Sequence, residues 1–182
     1  MTPATLLART DRALAPLDRI ADAILPSLAR LIFAGVLLGY FWASALTKFD
    51  GGPFALRFGA YAQIFPKAVE AAGGNPDNLT WLHTLVVLMG SWAEVLLPLL
   101  ILLGLFTRLA ALGMVGFILV QSLTDILGHG AGAETIGRWF DRIPDALILD
   151  QRGLWMLLLA VLMLKGGGPL SLDRIFRQWL SG

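Results

Sequence analysis

The chain has 182 residues, enough for one domain, but 57% of them are hydrophobic, only 15% are charged, and the mean hydropathy is +0.72. That balance excludes an ordinary soluble domain and points to a multi-span membrane protein. A net charge of +1 without a basic run argues against a nucleic-acid partner, and the lack of cysteine excludes dithiol chemistry, cysteine-ligated iron–sulfur clusters and covalent c-type haem.

Residues 1–27 form an amphipathic lead-in. Leu6, Leu7, Leu17, Ile20, Ile24 and Leu25 recur at helical spacings among Arg9, Arg12 and Arg19. The pattern suits a helix in the headgroup plane or a frayed cytoplasmic tail, with a break expected at Pro26. The first span is predicted at about 28–46, where Gly35, Gly39 and Ala43 repeat every four residues, the small-xxx-small pattern of closely approaching helices. A long connection follows from Lys48 to Thr80. Its turn signals, Gly51-Gly52-Pro53 and Gly73-Gly74-Asn75-Pro76, flank a helix-like stretch marked by Phe54, Phe58, Tyr61 and Phe65, expected to lie on the surface or re-enter and cap the bundle.

The second span is predicted at 81–103 and ends at Gly104. Three residues later the third begins, at about 108–127, so the two form an antiparallel helical hairpin in which Gly113 and Gly116 allow close packing. A second long connection, 128–150, leads to a fourth span at about 145–164, whose outer turns take in Asp150, Gln151 and Arg152. Lys165-Gly166-Gly167-Gly168-Pro169 stops it, and Ser171 caps a short interfacial helix within 166–182. The predicted fold class is an all-α integral membrane protein, a four-transmembrane-helix bundle with amphipathic interfacial segments.

Even span number puts both termini and the Arg108 turn on one side. That side holds eight of the 14 Lys and Arg residues, which favours N-in and C-in with both long connections outside. Arg108 reads as a positive-inside anchor and Lys48 as a snorkelling lysine.

Glu94 is the costly residue. A carboxylate in mid-span faces a partner or a watery cavity. His83 lies eleven positions before it, almost three helical turns, so the two share a face. Gln121 and Asp125, four apart, share a face of the third span at the depth of His83. One reading is an outward-opening polar pocket with Glu94 at its floor, serving a proton relay, a quinone or a small anion. The other is structural, with Glu94 bonded to Tyr40, Trp42 or Ser44 and merely fixing the bundle. The catalytic candidates are Glu94, Asp125 and His83. Lys48, Gln121, Trp42 and Trp92 are the candidates to bind a cofactor, for which a quinone is the leading class. No metal site is put forward; a bis-histidine haem on His83 and His129 is a geometric alternative without supporting ligands.

Four features occur in order: Leu46-Thr47-Lys48 closing the first span, Glu94 with the apolar run into Gly104, GLFTRLAAL at 104–112 and GGGPLSLDRIF at 166–176. Together they resemble the DoxX family of small four-span membrane proteins, over roughly residues 28–176. The resemblance implies a four-helix bundle in a prokaryotic inner membrane and carries over Lys48, Glu94 and Arg108. The wider family includes the large subunit of a thiosulfate:quinone oxidoreductase and subunits tied to redox or oxidative-stress complexes. The long lead-in and the two extended connections depart from a minimal member. The function expected is a quinone-linked subunit of a redox system, with lipid, a redox or periplasmic protein and a second copy of the chain as candidate partners. The alternative is a non-catalytic anchor or assembly partner. A transporter is disfavoured, because there is no inverted repeat or Gly/Pro-broken pair of spans.

Overall fold

The computed structural model describes residues 2–182, except for the side chains of Leu6 and Arg19, so those two members of the amphipathic pattern lie outside the described residues. Helix α1 runs from Pro3 to Phe33 and passes through a π-helical turn, Ala34–Leu38, into α2, Gly39–Leu46. The break expected at Pro26 is absent. Pro26 is fully buried and packs against the Gly168 turn, where a Cβ would lie 3.0 Å from it, so tertiary packing offsets the missing backbone donor.

The first connection folds into α3, Phe58–Ile64, and α4, Pro66–Ala71. Next come α5, Trp81–Leu103, and α6, Thr107–Leu123, which continues through a second π-helical turn, Thr124–Gly128. After the one-turn α7, Ala133–Ile136, a third π-helical turn, Leu147–Gln151, leads into α8, Arg152–Lys165, and the chain ends with α9, Leu172–Ser181. Among the described residues there is no strand, only an isolated bridge between Phe49 and Leu56.

Four stretches are long and apolar enough to cross a bilayer: Ile20–Leu46, Trp81–Leu103, Thr107–Gly128 and Leu147–Lys165. The shortest, at 19 residues, spans about 28 Å, close to the hydrocarbon thickness. The chain is therefore an all-α, multi-span membrane bundle. Around it the neighbours run α2 with α5, α5 with α6, α6 with α8, and α8 with α1. The core between them is aromatic and aliphatic: Phe33, Leu37 and Phe41 meet Met114, Ile118, Trp155 and Leu159. Phe41 sits edge-on to Phe117 and Trp155, with ring centroids 5.8 and 6.3 Å away.

Glycine usage separates two expectations. Of the two hairpin glycines, Gly113 packs on Leu97, where a Cβ would lie only 3.1 Å away, but Gly116 meets nothing within 4 Å of a Cβ because it borders open space, so only the first allows close packing. Gly35 and Gly39 touch no neighbour within 4 Å of a Cβ, so the small-residue repeat of the first span does not mediate close packing within this chain.

At the end of the bundle bearing both termini, the α5–α6 turn and the last helix are locked together. Gly104 adopts the left-handed conformation (φ 67°), and its carbonyl accepts from the backbone N–H of Asp173 at 2.9 Å. The Asp173 carboxylate in turn accepts from the N–H groups of Phe106 and Thr107 and from the Thr107 hydroxyl, at 2.7, 2.9 and 2.7 Å, capping α6 from the far end of the chain. Arg30 lies inside the same knot, donating to the carbonyls of Ile101, Leu102, Gly167 and Leu170.

Candidate functional site

At the opposite end, where the two long connections lie, the bundle opens into a cavity of about 630 Å³. All four spans contribute to its wall. α2 brings Tyr40 and Ser44, with Lys48 just beyond its end; α5 brings a stripe from Val86 through Gly90 to Glu94; α6 and its π-helical turn bring Gly116, Gln121 and Asp125. The fourth span adds Leu147 and Arg152, and α3 lays Gln63 and Ile64 against the same space. The polar groups cluster near the π-helical turns. Tyr40 follows the first, Asp125 lies in the second and Arg152 directly follows the third. Such turns change which side chains face inward, and they concentrate at functional sites.

Two ion pairs line the cavity. Lys48 Nζ lies 2.7 Å from Glu94 Oε2, with the two side chains only 4% and 5% exposed. It also donates to the Ser44 hydroxyl at 2.7 Å, and that hydroxyl donates to Glu94 Oε1 across a longer 3.3 Å. Lys48 therefore does not snorkel. With a carboxylate one helix away, turning inward neutralises both charges where neither could stay charged alone. In the second pair, Arg152 donates to Asp125 at 2.6 Å and to the Ser122 hydroxyl at 2.9 Å. Gln121 donates to the Tyr40 hydroxyl at 3.1 Å. Among the described residues three buried side-chain polar atoms have no protein partner: Ser27 Oγ at the far end of the bundle, and Gln121 Oε1 and Arg152 Nε here. The last two belong to residues of the cavity wall. Both atoms are sealed behind the wall, so the polar groups that a ligand could reach are the other side-chain atoms of walls that are mainly apolar.

Residues 25–125 match the DoxX family model. The chain belongs to the DoxX family. No curated protein and no solved structure matches it. The matched stretch holds Lys48, Glu94, Gln121 and Asp125, whereas Arg152 and the tail that locks the α5–α6 turn lie beyond it.

In this DoxX protein, Glu94, Asp125, Lys48 and Gln121, though separated in sequence, are gathered at one cavity. The other three candidates are engaged elsewhere. His83 Nδ1 bonds the Thr80 hydroxyl at 2.8 Å, and its ring lies edge-on to Phe65, 4.8 Å between centroids. Trp42 donates from Nε1 to the Val95 carbonyl at 3.2 Å, and Trp92 to the Pro53 carbonyl at 3.0 Å, beside Phe49. None of these three lines the cavity. His129 does, and it donates from Nε2 to the Gln63 carbonyl at 2.9 Å, so the two histidines of the haem alternative are held by different loop-end contacts.

Of the three partners weighed for Glu94, Ser44 alone bonds it; Tyr40 takes Gln121 and Trp42 takes the α5 backbone. The residue that sequence reasoning missed is Arg152, counted only as a loop-end positive charge. Its signal was a basic residue at the start of an apolar span, at the same end of the bundle as the acidic Asp125. Opposite charges at matched depth in neighbouring spans pair rather than stay apart.

Proposed function

We propose that this DoxX protein is a quinone-linked subunit of a redox system in a prokaryotic inner membrane, oriented N-in and C-in, with the cavity as its quinone site. One observation carries the reading: a cavity with largely apolar walls is lined by two ion pairs and by the Tyr40 hydroxyl. A quinone head group needs hydrogen-bond donors for its carbonyl oxygens and proton exchange when it changes redox state, and its tail needs apolar surface. When bound, a quinone supplies two-electron, two-proton chemistry, its electrons exchanged with a partner redox protein. The Tyr40 hydroxyl, which accepts from Gln121 and keeps its own proton to donate, is the group to hold the head. Glu94 exchanges the proton at Oε1, the oxygen with the weaker bond, while Lys48 holds Oε2.

The test compares wild-type protein with Lys48→Gln/Glu94→Gln, which removes both charges and keeps both groups hydrogen-bonding. Wild-type protein is expected to retain quinone in its lipid extract and to support quinone-dependent electron transfer in membranes. The folded double variant is expected to lose that transfer. Wild-type rates in the double variant end the reading.

An anchoring or assembly role is the second reading, favoured by one observation. Phe140 is fully exposed at a left-handed position (φ 65°) beside exposed Trp139 and Ile143, an apolar tip on the second long connection. On that reading Trp139→Ser/Phe140→Ser removes a copurifying protein partner while leaving quinone content unchanged.

A further inference from the structure

We infer that the cavity exchanges its ligand with the bilayer, through a side gap between α5 and α6, and that the ligand is therefore a membrane-dissolved amphipath with an apolar tail. The inference rests on the quinone reading for the identity of the head group, but its geometry stands independently.

The hairpin of α5 and α6 is pinned at the Gly104 turn and still tight at Gly113, where Leu97 fills the contact. One helical turn further on, at Gly116, a Cβ would meet nothing within 4 Å. Gly116 lines the cavity, so the open space there is the cavity itself, reached where the tight contact of Gly113 with Leu97 ends. Above that point the lips of the gap are Met89 on α5 and Val120 on α6. Both line the cavity, and both are open on the bundle surface, 63% and 59% exposed. In the middle of a membrane span, such surface faces lipid.

Towards water α3 and α4 cover the cavity in part, although Gln63 and His129, which line it, stay exposed. Ile64 of α3 lies over α5, 3.7 Å from where a Cβ on Gly90 would be, and Pro66 packs on Gly128. Tyr61 donates to the Thr84 hydroxyl at 3.2 Å, and His129 to the Gln63 carbonyl, fastening this roof to α5 and to the end of the third span. A cavity partly covered towards water and open towards lipid admits solutes already in the bilayer. Its polar side chains bind the head while the tail lies along Gly116 and out past Met89 and Val120.

The absence of cysteine makes the test direct. Single-cysteine variants carrying a nitroxide are placed in phosphatidylethanolamine/phosphatidylglycerol liposomes at Gly116 (Gly116→Cys), at lipid-facing Leu112 (Leu112→Cys) and on the exposed roof residue Lys67 (Lys67→Cys). Molecular oxygen dissolves in the bilayer and a neutral nickel chelate does not. The Gly116 label is expected to follow the Leu112 label, relaxed by oxygen and shielded from nickel; behaviour like the Lys67 label overturns the inference. Gly116→Trp, which has room to fold, is then expected to weaken binding of a long-chain ubiquinone by about tenfold or more at unchanged thermal midpoint. Met89→Trp on the opposite lip serves if Gly116→Trp does not fold. Wild-type affinity in the folded plugged variant overturns the gap as the route. If the label is lipid-like but wild-type protein binds no quinone, the gap stands and the quinone reading falls.

Discussion

Lys48 and Glu94 come from opposite sides of the long first connection and meet with their charged atoms 2.7 Å apart, almost wholly out of contact with solvent. A buried pair of this kind is a poor source of net stability but costly to break, because removing one partner strands the other. Glu94→Gln is therefore expected to destabilise the bundle by about 3–5 kcal/mol. Lys48→Gln/Glu94→Gln, which strands nothing, is expected to cost less than that single change. Thermal unfolding in detergent of the wild type, both single variants and the double closes the cycle. Additive losses would mean that the pair does not interact.

The second pair makes an asymmetric prediction. Arg152 is 3% exposed at its side chain and Asp125 is 28% exposed. Asp125→Asn leaves a guanidinium sealed in the bundle, whereas Arg152→Gln leaves a carboxylate that water can still reach. Asp125→Asn is expected to cost several kcal/mol and Arg152→Gln about 1–2 kcal/mol. The thermal midpoints of the two variants check the order, and the reverse order would show that Asp125, not Arg152, is the sealed partner.

Much of this bundle was legible because a bilayer imposes a length and a polarity on each crossing helix. Trp81 to Leu103 and the turn at Gly104 could be read from hydropathy and one glycine. The shared face of Gln121 and Asp125 followed from counting turns, and both line the cavity. What could not be read was lateral choice. Lys48 has the same sequence signature whether it reaches for headgroups or for Glu94, and only the packing of α2 on α5 decides. Arg30 and Arg152 carry the signature of topology-setting charges, yet both are buried, because Arg30 finds four carbonyls and Arg152 finds Asp125 and Ser122, acceptors that a one-dimensional pattern cannot place. Pro26 misled for a related reason: its missing donor is local, but the contact with the Gly168 turn that compensates is not.

Asp173 gives a pH dependence of known sign. Burial acts to raise its pKa, but hydrogen bonds from the Thr107 side chain and backbone and from the Phe106 N–H, with the nearby Arg177 charge, outweigh it and hold the carboxyl below the ordinary aspartate value. A lowered folded-state pKa contributes stability that is present above the unfolded value, about 3.9, and is lost as pH falls through the folded value. Asp173→Asn is therefore expected to melt earlier than wild type at neutral pH, by the equivalent of about 1 kcal/mol for a lost cap. The gap should close as pH falls below about 4. A gap independent of pH across that range would show that the carboxylate charge plays no part in holding the turn.

Arg30 should tolerate no other cation. Its guanidinium reaches two separate segments at once, the last carbonyls of α5 at Ile101 and Leu102 and the tail carbonyls of Gly167 and Leu170. A planar fork of donors can do this. A lysine ammonium is a single point on a flexible stem and cannot satisfy both segments together. Each bond to a charged donor contributes about 1.5–3 kcal/mol, so Arg30→Lys is expected to lose at least one such contribution and to release the tail rather than the helix, whose own backbone bonds persist. Limited trypsin digestion of detergent-solubilised protein reads this directly: cleavage at Arg174 and Arg177 should speed up in Arg30→Lys while cleavage at Arg57 and Lys67 keeps its wild-type rate. Equal rates at all four sites would place the strength of the knot in the Asp173 cap and the Gly104 turn, where an added Cβ would lie 2.6 Å from that of Ser171 and 2.7 Å from Arg30 Cζ.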